Sequence, residues 1–113
     1  MATLFTKIIT GQLKGTIIYQ DELCAVLEDI QPKAPKHFLI VPKKEIVSVN
    51  QTGTEDQHLL GHLLLVAKKV AQQLGIAETG YRLVINTGKD GGQSVDHLHI
   101  HLLAGRKLEW PPG

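Results

Sequence analysis

A single cysteine, Cys24, occurs in the 113 residues, so no internal disulfide can staple the chain and no CxxC pair is available to a metal. Net charge is nearly absent as well. Twelve basic side chains against eleven acidic ones leave +1, which gives no electrostatic case for bulk nucleic-acid or anionic-membrane binding. No apolar run approaches the roughly 18 residues of a membrane span. No signal peptide is visible at Met1-Ala-Thr-Leu-Phe-Thr-Lys7, and a cytoplasmic location is expected. Internal repeats, low-complexity tracts and linkers are missing too. Residues 1–113, with 42% hydrophobic and 20% charged side chains, are therefore read as one globular domain that buries about two-thirds of its unfolded surface.

What the chain does have is three histidines at alternate positions, His97, His99 and His101, in Asp96-His-Leu-His-Ile-His-Leu-Leu103. This alternation is the period of a half-buried β-strand. It predicts that Leu98, Ile100 and Leu102 enter a core while the imidazoles line the other face. Like charges so close oppose joint protonation, which favours neutral rings, the form that a nucleophile or a metal ligand needs.

Metal and covalent chemistry compete for this row. A rise of ~3.4 Å per residue spaces neighbouring triad members by about 7 Å, whereas zinc requires nitrogens at about 2.0–2.1 Å in a tetrahedron. Three histidines on one straight strand converge badly, so a metal site would need to borrow His37 or Cys24. The preceding segment favours covalent chemistry. Tyr81 to Asn86 reads as a strand. Thr87-Gly-Lys-Asp-Gly-Gly-Gln-Ser94 reads as a glycine-rich loop whose backbone N–H groups can approach an anion. Gln93 and Ser94 add hydrogen-bond formers, and the loop leads directly into the triad. The combination suggests a phosphate held beside an imidazole nucleophile.

Elsewhere Leu4 to Ile9 reads as a short helix, with Thr3 a possible cap and Gly11 a stop signal. Thr16 to Gln20, Leu23 to Glu28 and His37 to Val41 read as strands. Thr54-Glu-Asp-Gln57 has the pattern of a capping box before a long helix, and Gly75 suits its left-handed end. Leu59, Leu60, Leu63, Leu64, Val66, Ala67, Val70, Ala71 and Leu74 form its broad apolar face. The expected fold is α+β, a five-stranded antiparallel sheet with one long and one short helix. His58 and His62 have chelating spacing but fall on the helix's polar side and are read as solvated. Lys43 and Lys44 are read as a solvated strand end, and Cys24 as a small buried core residue.

These blocks resemble the histidine-triad (HIT) family, and in detail its Hint branch of purine nucleoside phosphoramidases. The resemblance runs from Leu4-Phe5-Thr-Lys-Ile8-Ile9 through Asp29-Ile-Gln-Pro32, Ala34-Pro35-Lys36-His37-Phe38, Gly91-Gly92-Gln93-Ser94-Val95 and the triad to Trp110-Pro-Pro-Gly113. It implies a HIT-like fold whose sheets join across a homodimer. It also implies hydrolysis of an adenosine 5′-phosphoramidate or acyl-adenylate to AMP through a nucleotidyl-histidine, a form of covalent catalysis.

Carried onto this chain, the resemblance makes His99 the nucleophile, oriented by the backbone carbonyl of His97, with His101 on the phosphate oxygens. His97 would connect to His37, and Ser94 would sit near the leaving nitrogen. Asp29 would accept both ribose hydroxyls, and Asn86, Gly92 and Gln93 would complete the nucleotide site. Phe5, Ile8, Ile30 and Leu39 would surround the purine of AMP or GMP. No cofactor and no metal is expected. Leu27 and Glu28 depart from the aromatic residue and histidine often found there, and Asp96 from the usual bulky residue. Nothing in the sequence assigns Asp96 a role. Two alternatives stay open. One is a dinucleoside polyphosphate hydrolase of the Fhit type, although that branch carries Gln at the position of Asn86 and Pro-Arg after the triad. The other is a non-enzymatic nucleotide- or zinc-binding interaction protein.

Overall fold

The computed structural model describes residues 2–113. Helix α1 (Leu4–Ile9) leads into strands β1 (Ile17–Gln20), β2 (Cys24–Glu28) and β3 (Lys36–Pro42). Helix α2 (Gln57–Gln73) then precedes β4 (Arg82–Val84) and β5 (Ile100–Ala104). The strands make one five-stranded sheet in the order β1-β2-β3-β5-β4, with each neighbouring pair antiparallel. The expected α+β architecture is the observed one. No helix among the described residues is long and apolar enough to cross a membrane.

Strand alternation divides the sheet into two faces. Cys24, Val26, Phe38, Ile40, Ile100 and Leu102 pack with Leu59, Leu63, Val66, Ala67, Val70 and Ala71 of α2. Ala25, Leu27, Leu39 and Val41 point the other way and pack with Phe5 of α1. Each fully buried Val, Leu, Ile or Phe side chain contributes about 1.5–3 kcal/mol, so both layers add to stability. Of the residues expected on the α2 face, Leu60 and Leu74 are only partly buried and Leu64 is exposed.

Three element boundaries differ from the sequence reading by more than one residue. The triad strand was expected over Asp96 to Leu103, but its ladder begins at Ile100, which pairs with Ile40 of β3. β3 ends at Pro42, and the chain beside residues 97–99 no longer runs as a strand, so Leu98 donates its N–H to Ile46 at 2.7 Å instead. β4 is likewise shorter than the expected Tyr81 to Asn86. Helix α2 starts at Gln57 after a 3₁₀ turn at Thr54–Asp56. The cap forms one residue earlier than the expected Thr54–Gln57 box: the Asp56 carboxylate accepts the Gly53 N–H at 3.0 Å. That carboxylate also holds the Lys44 ammonium at 2.7 Å, so Lys44 is paired rather than merely solvated. At the far end Gly75 takes φ +73°. Ile76 and Gly75 return N–H bonds to Ala71 and Gln72, the doubly bonded stop that a left-handed glycine permits.

Candidate active site

His97, His99 and His101 all lie on the face opposite α2, as their alternation with Leu98, Ile100 and Leu102 requires. That face is not solvated along its length. His97 and His99 are buried, because α1 folds over them and sets Phe5 against both rings. The Phe5 centroid lies 5.0 Å from that of His99, edge-on, and 5.6 Å from that of His97.

Main-chain partners fix the tautomers of three imidazoles, and through one of them that of a fourth. His99 Nδ1 is 2.7 Å from the carbonyl oxygen of His97. A carbonyl only accepts, so Nδ1 carries the proton and the neutral ring keeps a lone pair on Nε2. His97 Nε2 donates in the same way to the Pro42 carbonyl at 2.8 Å. His97 Nδ1 is then an acceptor, filled by the Thr3 hydroxyl at 2.5 Å.

His37 reads in the reverse sense. The Lys33 backbone N–H donates to its Nδ1 at 3.0 Å, which leaves the proton on Nε2. That proton faces His101 Nδ1 at 2.9 Å and the Asp29 carboxylate at 3.3 Å. With its Nδ1 accepting, His101 keeps its own proton on Nε2. Two adjacent rings, their centroids 4.9 Å apart, thus have opposite polarity, with a lone pair on His99 Nε2 and an N–H on His101 Nε2.

Burial reinforces the neutral forms. It is the largest influence lowering the affinity of His37, His97 and His101 for a proton. For His101, neighbouring charge on His99 and His37 adds to burial, and its pKa falls to about 4. The Asp29 carboxylate opposes the shift at both His37 and His101.

A cleft of about 440 Å³ opens beside these rings, within the range of small-molecule sites. Phe5, Ile8, Ile30, Leu39, Asp29, His37, Ser94, His99 and His101 line it. His97, Asn86, Gly92 and Gln93 do not. The Gln93 amide is engaged within the protein: it donates to the Val47 and Val95 carbonyls at 2.6 and 3.0 Å and accepts the Gly88 N–H at 3.0 Å. It therefore shapes the glycine-rich loop. Nor does His97 connect to His37. The partner of His37 is His101, and the ring of His97 turns toward Pro42 and Thr3.

Residues given no site role in the sequence reading also enter the site. Leu4, Lys14, Gln31, Lys33 and Val95 line the cleft beside Leu27 and Glu28. Thr3 is the helix cap that was expected, since its hydroxyl accepts the Thr6 N–H at 3.1 Å. Its second bond, to His97, had no local signal. Glu45 supports it, accepting the Thr3 N–H at 2.9 Å and the Thr6 hydroxyl at 2.6 Å. Metal donors do not converge within the triad. Among the described residues, the donor atoms of Asp29, His37 and His101 lie within 4.8 Å of one another, as do those of Asp21, Cys24 and His62.

A family model described as the HIT domain matches residues 10–108. An uncharacterized HIT-like protein of Synechococcus elongatus is 53% identical over 111 residues, spanning 98% of this chain and 96% of the relative. A HIT family hydrolase from Legionella pneumophila superposes with a TM-score of 0.96 at 46% identity, covering 99% of this chain and 100% of that one. A HIT family hydrolase from Clostridium thermocellum does so with a TM-score of 0.91 at 45% identity, covering 95% and 93%. With its buried histidine row, its cleft and likeness of this extent, the chain belongs to the HIT-domain family.

Proposed function

We propose that this protein hydrolyses purine nucleoside 5′-phosphoramidates or acyl-adenylates to the nucleoside monophosphate, through a nucleotidyl-histidine. The observation that carries this reading is the opposite polarity of two adjacent rings, a lone pair on His99 Nε2 beside an N–H on His101 Nε2. A nucleophile and a donor to phosphate oxygen are the two things in-line transfer at phosphorus needs, because such catalysis is mostly positioning and charge stabilisation. In the first step His99 Nε2 attacks the α-phosphorus and the bond to the leaving group breaks. A phosphoramidate's amine leaves with a proton delivered from solvent past Ser94, whereas an acyl-adenylate's carboxylate leaves as the anion. In the second step water attacks the same phosphorus, the phosphorus–nitrogen bond to His99 breaks, and the monophosphate leaves.

The apolar part of the cleft, Phe5, Ile8, Ile30 and Leu39, suits a purine, and Asp29 suits the ribose hydroxyls. Asp29 also faces His37, so nucleotide binding and the His37–His101 contact share one carboxylate. We place Asn86, Gly92 and Gln93 in the loop that frames the phosphate rather than against the purine. His97 acts through its carbonyl. The working form is a homodimer, joined where β4 ends the sheet.

The test is turnover of an adenosine phosphoramidate with rapid quench of a labelled substrate. Label should appear on His99, and His99→Ala should abolish turnover while still binding AMP. Label on His97 or His101, or near-normal turnover by His99→Ala, would refute the assignment.

A further inference from the structure

Away from the cleft, two spacings in the sequence meet in space. Asp21-Glu-Leu-Cys24 forms the turn between β1 and β2, and His58-Leu-Leu-Gly-His62 lies in the first turns of α2. Donors three positions apart at a turn, together with histidines four apart on a helix, are the ligand spacing of compact zinc sites. Here an aspartate stands where the first cysteine of that pattern usually does. Cys24 and Val26 face α2, whereas Ala25 and Leu27 face the side that carries the triad, so the site lies across the sheet from His99.

We propose that Asp21, Cys24 and His62, completed by His58, bind a divalent transition metal ion of the zinc class. The carboxylate oxygen, the thiol sulfur and an imidazole nitrogen already lie within 4.8 Å of one another. A tetrahedron with bonds of about 2.0–2.3 Å places its ligands roughly 3.3–3.7 Å apart, so small side-chain adjustments suffice. Asp21 is held ready for this. Its Oδ1 accepts the N–H groups of Leu23 and Cys24 at 2.8 and 2.9 Å, and its Oδ2 accepts the Tyr19 hydroxyl at 2.9 Å. The same Oδ2 lies 2.7 Å from His62 Nε2, a contact that the ion would open and bridge.

His58 is one helical turn earlier on the same face, its ring stacked on His62 with centroids 6.3 Å apart. A groove on the solvent side is lined by both histidines but not by Asp21 or Cys24. Charge and softness select the ion. A carboxylate and a thiolate together neutralise a dication, and sulfur with imidazole favours zinc or cobalt over magnesium or calcium. On binding, the Cys24 proton leaves to solvent, the metal–sulfur bond forms, and the Asp21–His62 hydrogen bond gives way to two metal bonds. The ion ties the β1–β2 turn to α2 and takes no part in turnover.

The experiment is titration of the full chain with cobalt and then zinc at neutral pH. One equivalent of cobalt should give near-ultraviolet thiolate charge transfer and the intense visible bands of a tetrahedral centre, and zinc should bleach both. His62→Ala, Asp21→Asn and Cys24→Ala should each weaken binding more than about 100-fold, because even outer partners of a metal site are worth 10–100-fold. Tyr19→Phe, which removes such an outer partner, should fall within that range. His62 is partly exposed, so its variant keeps the test valid if the core change at Cys24 impairs folding. Protein stripped with EDTA should keep its turnover. The proposal is overturned if micromolar cobalt does not bind, if the spectrum lacks the thiolate band, or if binding survives His62→Ala but is lost in His37→Ala.

Discussion

Thr3→Val is the most informative single perturbation of the site, because it removes one hydrogen-bonding group while nearly preserving shape. The Thr3 hydroxyl caps α1 through the Thr6 N–H and also donates to His97 Nδ1. Loss of a threonine cap costs about 1 kcal/mol. His97 is fully buried, at 0% exposure, so its abandoned Nδ1 acceptor adds roughly 1–3 kcal/mol. The expected loss of stability is therefore about 2–4 kcal/mol, measured by urea unfolding, with Thr3→Ser close to the wild type. The damage should reach the chemistry as well. The His97 carbonyl holds the His99 proton, and displacements of about 1 Å in such positioning groups cost up to about 100-fold in rate. On the proposed reaction kcat should fall by roughly 10–100-fold, and ring-nitrogen NMR of the free protein should show the His97 Nδ1 resonance move as it loses its donor, while Pro42 keeps the proton on Nε2. If Thr3→Val matched Thr3→Ser in stability, turnover and ring-nitrogen shifts, the link from α1 through His97 to His99 would be wrong.

Stability should depend on pH through the buried histidines. His37, His97 and His101 bind protons less readily when folded, so the unfolded chain takes up protons first as pH drops below about 6.5. Their contribution is complete above that value and declines toward pH 4, where His101, with its pKa of about 4, accounts for up to roughly 3 kcal/mol. A flat urea midpoint between pH 7 and 5 would contradict this. Asp29→Ala should weaken nucleotide binding, and a 2′,3′-dideoxy nucleotide should lose little more in that variant; full additivity by calorimetry would remove Asp29 from the ribose site. Sedimentation at micromolar concentration should give a dimer, and a monomer throughout would sink the proposed assembly.

The parts of the site that were legible in the sequence are those fixed by local period. Alternation from His97 to His101 set the three rings on one face, and the apolar spacing in α2 located most of the opposite layer. What stayed hidden depends on long-range pairs. Thr3 reads locally as a helix cap, yet its decisive partner lies 94 positions away. Gln93 reads as a ligand donor in a glycine-rich loop, but its amide is taken by Val47, 46 positions away. His62 falls on the polar side of a helical wheel, which says nothing of Asp21, 41 positions away. The late start of β5 has the same origin. A strand's extent depends on its neighbour, and β3 ends at Pro42.

The proton positions in the imidazole row are dictated by the carbonyls of His97 and Pro42 and by the amide of Lys33. Every residue has a carbonyl and all but proline an N–H, so substitution of Lys33 by any residue except proline, or of Pro42 by any residue that keeps the backbone path, leaves that wiring in place. Substitutions at Leu27, Glu28 and Lys14 in the cleft wall therefore leave the polarity of the histidines in place. On the proposed reaction, a change in which nucleotide is accepted need not pass through a form whose reactive nitrogen is blocked.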